Sequence, residues 1–462
     1  MNRLRTGGGW LGMRQSATYP MALARGWVDR VRAAHADHHA IARGMAWVVL
    51  FVVVGKIAGA AKEMAVAWRY GVREEVDAYL FLFNLVTWPT GVWFSVLAAV
   101  LVPLAARLRR EPSVEVPLFR AELLGLTLFL GVALGGVAWI GLPWLLTRSW
   151  VGLPATTAAL AVGMVGPLAL LIPLGVLISL FSAWIMAAGQ HANTLLESVP
   201  ALVILAALLA FPIGGAEPLV WGTIAGSVCH LGSVAAVLKR RGEVEAPRVT
   251  RASSQWPVFW QGFGLMLAGQ SLMTSLGIVD QFFAASLGTG AIAALGYANR
   301  ILGLILSLGA MAVARATLPV FSQASAQEGR QIQSVVAQWV RLLFMLGVAA
   351  TLIGWWLAPW AVRLLFERGA FTAADTDVVA EVVRYGLAQL PFYCAALVLA
   401  SYASSQGRYR VLFWSGAIAV GSKMIANAVL IPLLGIKGIA LAWGVVYALN
   451  AQFFLLTLRR PT

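Results

Sequence analysis

Over most of the chain, apolar residues run on for twenty or more positions without a polar face recurring at helical or strand spacing. Such a run forms a helix that is apolar all round, and roughly 20 residues of it cross the ~30 Å hydrocarbon core of a bilayer. The pattern predicts twelve segments, near 44–67, 77–106, 121–146, 157–187, 193–212, 218–238, 256–286, 290–322, 334–362, 377–404, 411–432 and 438–458. Pro89, Pro167, Pro173, Pro391 and Gly303 fall inside them, as in helices that bend around a cavity. The predicted organisation is a basic tail (1–43), a six-helix lobe (44–238), a linker (239–255), a second six-helix lobe (256–458) and a short terminal tail (459–462).

The two lobes echo one another. Pro103 recurs as Pro319, Pro143-Trp144 as Pro359-Trp360, Gln190 as Gln406 and Gly222 as Gly438, all at an offset of 216 residues. Four matches in register predict a duplication. Because each half holds six spans, the halves share one orientation and are parallel repeats about an axis along the membrane normal.

Composition agrees and excludes much. The chain is 60% hydrophobic and 11% charged, against roughly 25% charged in soluble domains. That rules out a water-soluble enzyme and a disordered chain. The net charge of +15 raises nucleic acid as a partner, but the position of the charges decides otherwise. Arg3 to Arg43 of the tail, Arg107, Arg109, Arg110, Arg120, Lys239, Arg240, Arg241, Arg248, Arg251, Arg330, Arg408, Arg410, Arg459 and Arg460 all fall on one side of a twelve-span topology. Only Arg69, Arg73, Arg148, Arg363, Arg368 and Lys437 fall on the other. The asymmetry places both termini in the cytoplasm and removes the need for nucleic acid. No signal-peptide apolar region precedes a cleavage site, so the tail is expected at an anionic lipid surface. Later methionines (Met13, Met21, Met45) leave the true start open. Cys229 and Cys394 both lie in apolar stretches, against a disulfide framework.

Catalytic chemistry is not visible. Gly416 to Lys423 reads GAIAVGSK, with Ser before Lys and not after it as a phosphate-cradling loop requires. His35, Asp37, His38 and His39 read as a solvated polar run, and no cofactor is expected. Transport is the remaining class.

Charges within spans are therefore the candidate chemistry, because each costs free energy unless paired or facing a wet cavity. Lys56 and Glu63, seven apart, share a face of the first span, with Gly55 and Gly59 allowing close packing or a kink. Lys62 and Glu63 either reach the outer interface or face the cleft. Arg300, one turn beyond Tyr297, is too deep to reach water by snorkelling and is read as lining the cleft. Asp280 and Lys423 read either as a buried ion pair or as an ion-coupling site. Arg315 is read as topological, and Glu197, Arg341 and Arg384 as interfacial. A cleft lined by Lys56, Lys62 and Arg300 with little compensating acid suits an anionic, phosphate-bearing substrate.

Several stretches carry a resemblance: GKIAGAAKEMAVAWRYG, VDAYLFLF and LVPLAARLRR early on, VDQFFAASLGTGAIAALGYANRILGL in the seventh and eighth spans, and LLFERGAFTAADT after the ninth. From about residue 45 to 458 the chain resembles the MurJ/MviN lipid II flippases of the MOP exporter superfamily. Leu365 to Thr372 and Tyr297-Ala298-Asn299-Arg300 are the most specific pieces.

The resemblance implies alternating-access export of an undecaprenyl-diphosphate-linked sugar across a bacterial inner membrane, with membrane lipids and glycan-synthesis or cell-wall machinery as partners. It implies diphosphate contacts by Arg300, Lys56 and Lys62 around Gly59, the lysines standing where the family has arginines. It places Asp77, Thr90, Tyr297 and Asn299 at the cavity or its gate, Thr90 lying near the place of a missing second-span arginine. Gly303 replaces an acid. Asp280, Lys423 and Asn427 occupy the places of a sodium site in some relatives. Fourteen spans are usual in the family, the last two forming a groove for the lipid tail, whereas twelve are read here. Three other readings stand beside lipid II export: an exopolysaccharide-unit flippase, a MATE-like antiporter, which predicts an acid-lined cavity, and a non-transporting scaffold.

Overall fold

The computed structural model describes residues 36–110, 115–188, 192–211, 214–324, 329–406 and 408–458. The basic tail up to residue 35, Gln190 of the repeat and residues 459–462 lie outside the described residues, as do the side chains of Asp37, His38, His39 and Arg315. The described residues are helices joined by short connections: α1 (Ala36–Tyr70), α2 (Glu74–Arg110), α3 (Glu115–Leu146), α4 (Ala155–Ala169), α5 (Leu171–Ala187), α6 (Ala192–Leu196), α7 (Val199–Ala210) and α8 (Glu217–Lys239). Then follow α9 (Trp256–Ala285), α10 (Ala291–Ala324), α11 (Gly329–Phe366), α12 (Ala373–Leu387), α13 (Leu390–Ser405), α14 (Tyr409–Leu434) and α15 (Ile436–Leu458). By contacts the chain forms two units, Met1–Val54 and Gly55–Thr462. Of the first, only the helical start of α1 is described, and everything below concerns the second.

Each predicted apolar segment has a helical counterpart. Among the described residues eight helices are long and apolar enough to cross a membrane, or up to ten if each of two bent pairs counts as one span. The shortfall from twelve has two sources. The side chains of the first half of α1 are not described, and α7 has only 12 residues, about 18 Å at 1.5 Å per residue. The chain breaks at Glu197–Ser198 between α6 and α7, where one continuous span was expected.

The bends have a chemical cause. α4 and α5 meet at 43°, and α12 and α13 at 41°. Pro391 has no N–H to give the carbonyl of Leu387, and the Thr351 hydroxyl donates to that carbonyl instead, at 2.9 Å. In the first half Pro173, 218 residues before Pro391, lies against α3, where a Cβ on Gly131 would come 2.9 Å from the Pro173 Cα. In the second half a Cβ on Gly347 would come 2.6 Å from the Pro391 Cα. Gly131 and Gly347 are 216 residues apart, the offset of the sequence repeat. Gly222 and Gly438 likewise each sit tight against the preceding helix, at Ala207 and Leu430.

The cores reveal a molecule closed at one end. A single cluster of buried side chains joins both halves where the connections 71–73, 286–290 and 367–372 meet, with Tyr70, Val76, Ala293, Tyr297, Phe366 and Phe371 in it. At the opposite end the core is split. Trp93, Leu101, Phe119 and Leu238 form one cluster with Trp256 and Phe259, while Val336, Leu399, Phe454 and Leu458 form another. The outer faces stay apolar, as lipid contact requires: Ile140, Leu364 and Leu433 are each more than 70% exposed.

The linker after α8 is strapped to α3. The buried carboxylate of Glu122 accepts from the Thr250 hydroxyl, from Ala252 N at 2.7 Å, from Ser253 N and from Trp256 Nε1 at 2.7 Å. Arg248 N also donates to the Ala121 carbonyl at 2.9 Å. Beside this, Glu243 accepts from Arg109 at 2.6 Å, with Arg120 and Arg241 close by. Burial pushes the Glu243 carboxyl up, but the bond to Arg109 and the three positive charges outweigh it and hold the group below its usual range.

A depressed folded-state value stabilises the strap above the ordinary glutamate pKa of about 4.3 and is lost as pH falls through the folded value. Limited proteolysis of residues 240–255 is therefore expected to accelerate on acidification below about pH 4. Glu243→Gln should cleave quickly at neutral pH and lose that acid-dependent step. Equal protection of both proteins at pH 7 would remove the carboxylate from the strap.

Candidate functional site

The site begins with α1, whose glycines leave room. A Cβ on Gly59 would meet nothing within 4 Å, so a space of about 390 Å³ opens beside it, bounded by Lys56, Lys62 and Glu63 of α1 and by Asn299, Arg300 and Gly303 of α10. Gly303 too has nothing within 4 Å of its Cβ position. On the other side of Arg300 lies a cavity of about 430 Å³, walled by Asn84, Thr87 and Trp88 of α2, Asp280 and Gln281 of α9, and Trp443 of α15. Arg300 and Asn299 border both spaces.

Glu63 is the centre of the charge arrangement. Its carboxylate lies 2.7 Å from Lys62 Nζ and 2.9 Å from Arg300 Nε. Of the two readings of the Lys62–Glu63 pair, the one facing the cleft is present, and Glu63 is the carboxylate set among Lys56, Lys62 and Arg300. Lys56 points to the Ser307 hydroxyl at 3.5 Å, the outer limit of a hydrogen bond. Three cations thus face one anion. The Arg300 side chain remains 49% exposed to the cavities while so paired.

Asp77 and Tyr297 lie at the closed end. Asp77, at the start of α2, accepts from Gly290 N and, at 2.6 Å, from Ala293 N. A carboxylate there satisfies the otherwise unpaired amides that open α10 and meets the positive end of its dipole. Tyr297 donates to the Gly71 carbonyl at 3.1 Å and packs on Phe366 and Phe371. Ala370 N donates to the Trp68 carbonyl at 2.7 Å. Gly71 lies at φ +59° with the Ala370 carbonyl where a Cβ would be, so the close approach of the 367–372 connection needs a glycine there.

Thr90 does not line the cavity. Its hydroxyl donates to the Thr87 carbonyl, and its methyl group occupies the hollow left by Gly175 of α5. Thr87, one turn before Thr90 in α2, is the one that reaches the open space.

Asp280, Lys423 and Asn427 come together, all buried. Lys423 Nζ lies 3.0 Å from the Asp280 carboxylate, donates to the Ile439 carbonyl at 2.9 Å, and stands 4.5 Å from the centre of the Trp443 ring. Asn427 Nδ2 and Trp443 Nε1 donate to the same carboxylate at 3.0 and 2.8 Å. Of the two readings open in the sequence, the ion pair is present. Trp443 went unnoticed because it lies among apolar residues of the last span. Asn84, Thr87, Gln281 and Gln389 also line the cavity, and their only signal was polarity inside apolar runs.

A family model described as lipid II flippase MurJ matches residues 46–462. The chain belongs to the MurJ family. A probable lipid II flippase MurJ of Helicobacter pylori is 31% identical over 201 residues, 42% of this chain and 43% of that protein. One from Rhizobium tropici is 32% identical over 192 residues, 41% and 36% of the two chains. These matches span less than half the length of those MurJ relatives. The lipid II flippase MurJ of Burkholderia cenocepacia aligns more widely, at 23% identity over 89% of this chain and 82% of its own. Among solved structures, a lipid II flippase MurJ in an inward closed conformation superposes with a TM-score of 0.78 at 18% identity, covering 90% of this chain and 87% of that one. An inward-facing multidrug resistance MATE transporter of the MOP superfamily gives 0.68 at 16%, covering 88% and 94%. The MurJ and MATE likenesses establish a shared all-helical fold.

Proposed function

We propose that this multi-pass membrane protein is a flippase that exports an undecaprenyl-diphosphate-linked saccharide across the bacterial inner membrane by alternating access. The observation that carries the reading is Arg300, half-exposed between two joined cavities and held by the single carboxylate of Glu63. A diphosphate brings more negative charge than one carboxylate and can take Arg300, Lys62 and Lys56 together. In this reading Glu63 holds the cations in place until substrate displaces it. Membership of the MurJ family supports a lipid II-like precursor as the substrate. An exopolysaccharide unit is the second reading, favoured by Lys56 and Lys62 where MurJ-like chains carry arginines.

The proposed architecture is twelve spans in two parallel lobes, 44–238 and 256–458, joined by 239–255. The Gly131–Pro173 and Gly347–Pro391 contacts support it. Both termini are placed in the cytoplasm, so that the split end, rich in Arg107, Arg109, Lys239, Arg240 and Arg241, faces inward. Substrate then enters from the cytoplasm, and the contacts of Asp77, Tyr297 and Gly71 must part to release it. The protein acts as a transporter without a catalytic step.

Flux of a lipid-linked saccharide in proteoliposomes tests this. Lys56→Glu should eliminate flux by setting a second carboxylate against the diphosphate, whereas arginine at both Lys56 and Lys62 should preserve it. Undiminished flux with Lys56→Glu would show that the anion does not pass this face of α1.

A further inference from the structure

A second kind of space adjoins the polar cavity. It measures about 740 Å³, lies between α9, α13, α14 and α15, and is walled chiefly by apolar side chains such as Met266, Met273, Leu397, Phe413 and Phe454. Its volume falls within the ~300–1,000 Å³ of ligand sites. Few hydrogen-bonding groups line it, so neither a saccharide nor a diphosphate would replace there the bonds it makes to water. Methionines supply walls that adapt to a flexible apolar guest.

Tyr447 belongs to the wall of this space and to that of the Arg300 cavity. Its position is fixed from both sides. It stacks on Trp443 with ring centroids 5.8 Å apart and meets Tyr393 edge-on at 5.0 Å. Trp443 is in turn anchored to the Asp280 carboxylate. A polar, cationic chamber and an apolar chamber therefore share one rigid aromatic partition.

We propose that the apolar chamber receives the polyprenyl tail of the substrate while the diphosphate is held at Arg300. The inference rests on the flippase reading and deepens it. A molecule whose charged and apolar parts are joined at a diphosphate needs two such chambers side by side, because neither part is stable in the other's surroundings. The acyl chain of a bulk phospholipid has the same chemistry, but its single phosphodiester brings less negative charge to Arg300, Lys62 and Lys56 than a diphosphate does.

Gly269 gives the test. It lines the apolar chamber, and a Cβ there would meet nothing within 4 Å. Gly269→Leu therefore fills the chamber without a clash at its Cβ and with a gain in helix propensity. Binding of undecaprenyl diphosphate and of geranyl diphosphate to the purified full chain in nanodiscs is compared, with retained phospholipid counted by native mass spectrometry. Gly269→Leu should weaken undecaprenyl diphosphate about tenfold or more and leave geranyl diphosphate within about twofold. The melting temperature of Gly269→Leu should match that of the wild type, which reports an intact fold.

Unchanged binding of the long chain in Gly269→Leu would overturn the proposal, as would equal weakening of both probes. Loss of retained phospholipid with undecaprenyl diphosphate unaffected would assign the chamber to bulk lipid and overturn it too. Arg300→Ala separates the two readings. It should weaken both probes alike, and if it weakens neither, the diphosphate site fails whatever Gly269→Leu does.

Discussion

Arg300→Ala is expected to abolish export while the chain still inserts and folds. The side chain is half-exposed, and its one ion pair is with Glu63, which keeps Lys62 at 2.7 Å after the change. No packing core is opened. What disappears is the charged donor shared by the two polar spaces on either side of α10, and hydrogen bonds to charged groups are worth about 1.5–3 kcal/mol each. That is roughly 10- to 150-fold in affinity, and the remaining carboxylate now opposes an incoming diphosphate. Arg300→Lys should retain partial flux, because a point charge survives although the planar fork does not. Proteoliposome flux and a thermal melt are measured together. Wild-type flux by the alanine variant would take the diphosphate away from Arg300.

Asp280→Asn should have the largest effect on stability. Lys423 is fully buried, and Asp280 is its anionic partner at 3.0 Å. Removing one partner of a buried pair leaves an uncompensated charge and costs about 3–5 kcal/mol. The variant should melt far below the wild type, and a second change, Lys423→Met, should recover much of the loss. A wild-type melting temperature for Asp280→Asn alone would show that the pair does not carry charge. The same geometry predicts that flux persists when sodium is replaced by choline, since the tethered ammonium already neutralises the carboxylate. Lys423→Asn should make flux sodium-dependent.

The twelve apolar segments were legible because a helix surrounded by lipid needs no polar face, so hydrophobicity alone marks it. Where chain geometry departs from a straight rod, that signal fails. In the run 193–212 only Pro200, in the first turn of α7, marked the break at Glu197–Ser198, and the bends at α4–α5 and α12–α13 were only hinted at by Pro173 and Pro391. The candidate site was legible where it carries charge: Lys56, Lys62, Arg300, Asp280 and Lys423 all stand out against an apolar background. Glu63 was left open between the outer interface and the cleft, because its neighbour Lys62 allowed an interfacial pair and its partner Arg300 is far away in the sequence. Thr90 was named from the resemblance, as lying near the place of a missing arginine, and one turn of α2 cannot be oriented from a run that is apolar on every side. Trp443 and Tyr447 have no sequence signal, since aromatic residues are ordinary in a span.

The strap at Glu122 bears on how the protein is made. Its carboxylate sits in the third helix, yet the first of its donors, Thr250, is 128 residues further along the chain. At about 5–20 residues per second of synthesis, Glu122 waits roughly 6–26 s for that donor. Asp77 waits longer still, for amides 213 and 216 residues downstream. During that interval α3 to α8 must be threaded into the bilayer with two acids still lacking the groups that satisfy them. The first half of the chain thus cannot reach its final form when its own last helix is complete. It matures only as the ribosome delivers the linker and the beginning of the second half.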